Sequence, residues 1–260
     1  MKADLKGKWV FITGGSSGFG AAGAKAFAAE GAHVVIAARR TERLQQVADE
    51  CTAAGAASAH YHALDVASTA SVEACVSWLR NLTPRLDVLI NNAGGAHGVD
   101  TVADGKDADW EAMVQSNFIG VLRVTRAALP LMTGQPGSLI LNVGSIAGHV
   151  AYEGGAAYCG VKAAALQVTR ALRLELCTVG VRVCTLDPGL AETEFALVRF
   201  KGDSVKAAKV YEGIQALTAE DIADTMVWMA SRPPHVCIDE VLMKCTAQAA
   251  VHKIHRVIAK

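Results

Sequence analysis

WVFITGGSSGFG, residues 9–20, is the stretch from which the fold can be read. Trp9-Val10-Phe11-Ile12 is a short apolar run that breaks off into Thr13-Gly14-Gly15-Ser16-Ser17-Gly18-Phe19-Gly20, and an alanine-rich helical pattern follows over 21–30. A strand that passes through glycines into a helix N-terminus forms a site for nucleotide phosphates. The glycines let the backbone approach a pyrophosphate, and the first helical N–H groups are free to donate to it. The spacing of Gly14, Gly18 and Gly20 is GxxxGxG rather than the commoner GxGxxG. Glycine-rich turns also serve as plain tight connections, so the neighbouring segments have to decide.

Working outward, residues 33–38 form the next apolar strand pattern and end in Arg39-Arg40. An NAD-selective site would place an acid near that strand end for the ribose 2′-OH. Ala38 stands there instead and two arginines follow, which removes a repulsion and offers cations to a 2′-phosphate. NADP is therefore favoured over NAD, against the plainer reading of a solvated basic turn before a helix at 41–53. A third strand at 58–64 ends in Asp65-Val66, where the carboxylate can meet an adenine amino group. His60 and His62 alternate on that strand, but no acid or cysteine is spaced to complete a metal site, so they read as ordinary strand residues and no metal is expected. The strand at 86–90 runs into Asn91-Asn92-Ala93-Gly94, residues suited to pinning loops beside a cofactor.

A helix is expected over 108–132 with Asn117 inside it, a poor helix former that marks a solvent face, a kink or a held water. Strands at 139–143 and 181–186 follow, the second ending in Asp187-Pro188-Gly189, with Thr193 placed to bond a nicotinamide amide. From 194 to 216 the periodicity fades while Arg199, Lys201, Lys206 and Lys209 accumulate, which suggests a lid or binding loop at about 190–216. Thr218-Ala219-Glu220-Asp221 opens another helix, and 236–243 reads as a seventh strand. Strand and helix alternate without a repeat or linker. The expectation is a single α/β domain over 1–260, a Rossmann-like, doubly wound, seven-stranded parallel sheet flanked by helices.

With 52% hydrophobic and 19% charged residues, the chain can bury a large core. Its formal net charge of +0 gives no field to recruit nucleic acid or an anionic membrane. No apolar run approaches about 18 residues and no signal-peptide core follows the first methionine. Seven cysteines without CxxC spacing read as reduced thiols in a cytoplasmic protein.

The candidate chemistry lies in SIAGHVAYEGGAAYCGVK, residues 145–162. On a helix, Tyr158 and Lys162 would sit one turn apart on one face. The ammonium would favour the phenolate and pull the tyrosine below its usual pKa of about 10. Ser145 follows the strand at 139–143, at the strand's C-terminal end, where open α/β sheets place their chemistry. Together the three suggest a carbonyl held by two hydroxyls, one able to pass a proton. Taken alone, a YxxxK pair is an aromatic beside a snorkelling lysine.

In order, TGGSSGFG (13–20), DV (65–66), NNAG (91–94), Asn117, Ser145, YCGVK (158–162) and PGLAET (188–193) resemble the short-chain dehydrogenase/reductase family over nearly the whole chain. The resemblance implies Tyr158 as general acid/base and Lys162 on the nicotinamide ribose. It places Ser145 on the substrate oxygen and Asn117 on a relay water. Around NADP(H) it sets Gly14, Ser16, Ser17, Gly18, Phe19, Gly20, Arg39, Arg40, Asp65, Val66, Asn91, Ala93, Gly94, Tyr158, Lys162, Pro188, Gly189 and Thr193. It also implies a homotetramer or homodimer. Phe19 stands where the family usually has Ile.

Within the family, ETEFALVRFKGD (192–203), LTAEDIAD (217–224) and GHVAYEGG (148–155) resemble the NADP-dependent 3-hydroxy acid dehydrogenases and their sulfoacetaldehyde reductase relatives. These act on small anionic semialdehydes and 3-hydroxy acids, which implies Tyr152 in the substrate pocket and Arg199, with Lys201, as the anion clamp. The tail from Lys244 lacks the Pro-Val-x-Gln-Ser stretch of that subgroup, which leaves room for a different substrate. The alternatives are a reductase of a bulkier aldehyde, ketone or acyl thioester, and a non-catalytic NADP(H)-sensing module.

Overall fold

In the computed structural model, residues 3–257 are described; Met1, Lys2 and 258–260, the ends of the expected domain, lie outside them. Strands β1 (Trp9–Thr13), β2 (His33–Ala38), β3 (Ser58–Ala63), β4 (Val88–Asn91), β5 (Leu139–Val143), β6 (Arg182–Pro188) and β7 (Glu240–Met243) form one sheet. It is seven-stranded, in the order β3-β2-β1-β4-β5-β6-β7, and every pairing is parallel. The expected seventh strand is shorter than 236–243 because only its last four residues pair with β6.

Both faces of the sheet are covered, and the alternation of side chains divides the core. Val10, Ile12, Val34 and Ile36 face one apolar layer with α1 (Gly18–Ala29), α2 (Thr41–Ala53) and α9 (Ala219–Ala230). Phe11, Val35, Leu89 and Ile140 face the other, with α3 (Thr69–Leu82) and α5 (Gly120–Ala128). Side chains along a strand point alternately to opposite faces, so a parallel strand buried on both sides needs a continuous apolar run. Each such side chain contributes about 1.5–3 kcal/mol when fully buried. The expected start of α9 is a capping box: Thr218 Oγ1 accepts from the Asp221 N–H, and Asp221 Oδ2 accepts from the Thr218 N–H.

Two expectations are corrected. The helix over 108–132 is not continuous: α4 (Asp107–Val114) gives way to a π-helical turn at Gln115–Ile119 before α5, and a 3-10 turn at Leu129–Leu131 ends it. Residues 194–216 are not irregular throughout, since they hold two short helices, α7 (Phe195–Arg199) and α8 (Ser204–Lys209). Each is only five or six residues long, too short to show an apolar period. The tail adds a small antiparallel pair, β8 (Gln248–Ala250) and β9 (Lys253–Ile254). No helix among the described residues is long and apolar enough to cross a membrane.

Candidate active site

The strand order reverses between β1 and β4, and a cleft of about 460 Å³ opens there at the C-terminal ends of the strands. Its floor comes from the turn after β1. Gly20 has no room for a side chain, because a Cβ there would lie 2.4 Å from the Gly14 carbonyl oxygen. Asn92 holds the same turn from the end of β4, its side-chain amide donating to the Thr13 and Gly14 carbonyls at 2.9 and 3.2 Å. Thr13 Oγ1 in return accepts from the Asn92 and Ala93 N–H groups at 3.0 Å. The helix N-terminus thereby faces the cleft, with Gly14, Ser16, Ser17, Gly18 and Phe19 lining it.

Arg39 and Arg40 line the cleft beyond β2, Asp65 and Val66 beyond β3, and Ala93 and Gly94 beyond β4. Arg40 donates to the Ser16 and Ser17 hydroxyls at 3.2 and 2.7 Å and pairs with Glu194 at 3.0 Å. Arg43, one turn further along α2, grips the same carboxylate. Arg43 and Arg40 together hold Glu194 below the usual carboxylate range. Neither Arg43 nor Glu194 was singled out from the sequence, because nothing local links positions 151 residues apart.

Asn91 turns its side chain the other way, into the sheet. Its amide donates to Thr125 Oγ1 and Asn142 Oδ1 at 3.0 and 2.9 Å, while Asn142 donates to Thr169 Oγ1 at 2.8 Å. Asn91 thus fastens β4 to β5 and to α5, and Asn92 is the asparagine on the cleft. Asn117 sits in the π turn, where the Gly120 N–H reaches back to the Gln115 carbonyl. Its amide donates to the Gly95 and Met113 carbonyls at 2.8 and 3.0 Å, and its Oδ1 accepts from the Gly95 N–H at 3.2 Å. A π turn admits one extra residue and is common at functional sites; here it points Asn117 at the loop after β4.

Ser145 caps a short turn after β5 by accepting from the Ala147 N–H at 3.1 Å. Its hydroxyl is also the hydrogen-bonding neighbour of the Tyr158 phenol. Tyr158 and Lys162 lie on α6 (Ala156–Leu176), each 8% exposed. The Lys162 ammonium donates to the Val143 carbonyl at 3.0 Å and lies 5.8 Å from the Tyr158 ring centroid. The expected lowering of the phenol is not seen. Burial pushes Tyr158 well above the ordinary phenol range, against the Ser145 hydrogen bond and the Arg199 charge. Burial likewise pulls Lys162 down to about 8, offset in part by the Asp187 carboxylate. Both groups line the cleft yet are largely buried, and desolvation of the charged form is the largest cause of each shift.

Asp187 is itself a feature that sequence reading missed. It is 1% exposed at the end of β6, accepting from Thr185 Oγ1 at 2.8 Å and meeting His149 Nε2 at 2.9 Å. A Cβ at Gly144 would fall 1.7 Å from its Oδ1, so the turn carrying Ser145 rests directly on this carboxylate. Pro188 and Gly189 complete β6 and the following turn beside it, and the Gly189 N–H donates to the Met243 carbonyl at 2.7 Å. Thr193 lines the cleft against Gly18.

The segment from 194 onward closes the far side. Arg199 donates to the Gly98 carbonyl at 3.2 Å, and its guanidinium lies 5.4 Å from the Tyr152 ring centroid and 5.8 Å from that of Tyr158. Lys201 is not free to clamp an anion, since it pairs with Asp109 at 2.7 Å. The unusual tail holds this segment's end: Arg256 donates to the Val210 and Glu212 carbonyls, and Gln248 Oε1 accepts from the Leu190 N–H at 2.8 Å.

Residues 8–203 match the family model of the short chain dehydrogenases. The chain belongs to the short-chain dehydrogenase family. It is 43% identical to a sulfoacetaldehyde reductase of Chromohalobacter salexigens over 92% of this chain and 94% of that protein. To the NADP-dependent 3-hydroxy acid dehydrogenase of Schizosaccharomyces pombe it is 39% identical, over 97% and 98%. Among solved structures, a closed form of serine dehydrogenase complexed with NADP+ superposes with a TM-score of 0.88 at 37% identity, covering 95% of this chain and 99% of that one. For a short-chain dehydrogenase, the arrangement brings together the glycine turn, the two arginines, Ser145, Tyr158, Lys162 and Arg199. It leaves the Asn91 side chain and Lys201 engaged elsewhere.

Proposed function

We propose that the protein is an NADP(H)-dependent oxidoreductase of small anionic carbonyl compounds, with Tyr158 as general acid/base. In this reading it interconverts a semialdehyde, sulfoacetaldehyde or a 3-oxo acid with the corresponding alcohol or 3-hydroxy acid. The named relatives act in this substrate range.

The residues present fit the cofactor. The cleft is of a size that suits such a molecule. The Gly14–Gly20 turn offers backbone N–H groups, with a helix N-terminus behind them, to a pyrophosphate. Ala38 stands where an acid would select NAD and Arg39 and Arg40 follow it on the cleft, so the 2′-phosphate finds cations. When bound, NADP(H) supplies or accepts the hydride. The protein's own part is to hold the carbonyl and move a proton. Ser145 and Tyr158 present two neighbouring hydroxyls that polarise a carbonyl oxygen as charge develops on it. Tyr158, kept neutral by burial, is in the donor form that reduction requires. Lys162, at about 8, exchanges its own proton near neutral pH.

The observation that carries the choice of substrate is Arg199. Its guanidinium lies over both Tyr152 and Tyr158, and among the described residues it makes no ion pair. A carboxylate or sulfonate one or two carbons from the reacting carbon would meet it there. Semialdehydes, sulfoacetaldehyde and larger ketones, each assayed with NADPH, test the reading. Turnover is expected with the small anions; turnover confined to bulky ketones overturns the substrate class, and binding without turnover overturns the enzyme. Tyr158→Phe is expected to lower kcat by about 10²–10⁴-fold with cofactor affinity retained. The same reading makes the protein a cytoplasmic homotetramer or homodimer, which sedimentation velocity and cell fractionation test.

A further inference from the structure

All seven cysteines are free thiols, and among the described residues Cys184 and Cys237 are the pair whose sulfurs meet, with Sγ atoms 3.7 Å apart. Neither takes part in the site above. Cys184 is 1% exposed in the middle of β6, on the face covered by α9. Cys237 is exposed in the stretch that leads into β7. Two buried cysteines in contact would read as ordinary apolar packing. One buried and one exposed is a different arrangement, because a soluble reagent can reach the outer sulfur while the inner one waits behind it.

The backbone holds the two in place. The Thr185 N–H, next to Cys184, donates to the Asp239 carbonyl at 3.0 Å, and β6 pairs with β7 from Thr185 onward. Cys237 itself lies outside regular strand, so its backbone is free to adjust as the sulfurs close from contact to a bond of about 2.05 Å. The two positions are 53 residues apart in sequence, which makes the contact a product of the tertiary fold.

We propose that Cys184 and Cys237 form a site of reversible oxidation, at which hydrogen peroxide converts the two thiols into an intramolecular disulfide. The Cys237 thiolate attacks one peroxide oxygen. The O–O bond breaks, the other oxygen leaves as hydroxide, and Cys237 becomes a sulfenic acid. The Cys184 sulfur then attacks the Cys237 sulfur and loses its proton, and the S–O bond breaks to release water. In sum the two thiols give up two electrons and two protons, and peroxide is reduced to two waters. The hydrogen bond from Cys184 holds Cys237 down at about 7, against the opposing charge of Asp239, so the exposed sulfur is the attacking one. The hydrogen bond to Cys237 and burial keep Cys184 protonated until it resolves the sulfenic acid.

The test exposes the full-length protein to hydrogen peroxide, alkylates the remaining thiols and maps peptides without reduction. The intact mass is expected to fall by two hydrogens, with Cys184 and Cys237 in one linked peptide that dithiothreitol separates. Cys237→Ser is expected to lose this bridge altogether. Cys184→Ser, or Cys184→Ala where serine disturbs the core, is expected to accumulate a Cys237 sulfenic acid that dimedone captures. The bridged form, with β7 stapled to β6, is expected to melt at a higher temperature than the reduced form. A wild-type protein that keeps both thiols under these conditions overturns the proposal. So does the same loss of two hydrogens in Cys237→Ser, or a linked peptide joining other cysteines.

Discussion

Around Gly14–Gly20 the wall of the cleft is backbone, shaped by a turn too tight for a Cβ at Gly20 and pinned by Asn92. The opposite wall, from Glu194 to Gly213, is held by side chains that reach across the fold. Arg43 grips Glu194, Lys201 grips Asp109, and Arg256 grips the carbonyls of Val210 and Glu212. The first wall is an unyielding receptor for a phosphate-bearing ligand. The second is a cover fastened by partly exposed ion pairs and arginine–carbonyl hydrogen bonds, each worth little by itself and therefore able to rearrange around a substrate.

This contrast can be tested by breaking each wall in turn. The largest effect is expected at the backbone wall. Gly20→Ala forces its Cβ onto the Gly14 carbonyl and is expected to weaken NADPH binding by roughly 10- to 100-fold, as overpacking of this kind costs about 1–3 kcal/mol. Fluorescence titration of NADPH checks it, and unchanged affinity would mean that the turn yields. On the covering wall, Arg199→Gln is expected to raise KM for an anionic substrate by about tenfold or more, with a smaller change for an uncharged aldehyde. Equal losses on both substrates would make Arg199 a structural residue only.

A subtler effect is expected beneath the site. Burial lowers the Lys162 pKa to about 8 even with the nearby Asp187 carboxylate raising it. Asp187→Asn removes that support, so Lys162 loses its proton at lower pH. The alkaline limb of the reduction rate is expected to move toward acid; a limb that stays in place separates Lys162 from the rate. The smallest change is expected at Glu194. Glu194→Gln releases Arg40 and Arg43 for a 2′-phosphate and is expected to tighten NADPH binding by about two- to fivefold at low salt, with NADH little changed. Weaker NADPH binding would show that the carboxylate orders the arginines rather than occupying them.

The same contrast explains what could be read in advance. The apolar strands, the glycine turn, the capping box at Thr218 and the YxxxK helix are all signalled within a few residues, and apart from the shortened β7 each stands where the sequence places it. Asn91 could not be told from Asn92 by type, because alternate residues of β4 face opposite ways and only the Asn142 partner shows which one turns inward. The direction of the Tyr158 shift depends on burial, with Phe195 against its ring, outweighing the Ser145 hydrogen bond and the Arg199 charge, contributions from residues spread along the chain. His149 and Asp187 are 38 residues apart, and nothing in either neighbourhood announces the other.

The wide turn at Gln115–Ile119 has a consequence for any attempt to tidy this protein. A helix that carries one surplus residue keeps both of its ends in phase only by spending the surplus at Asn117. Deleting a residue there would yield a regular helix with both ends still in phase, yet Asn117 would lose the bulged position from which it bonds the Gly95 backbone. The Gly95 loop would lose its anchor. At this point local regularity and a working site are opposing demands, and the chain has kept the irregular solution.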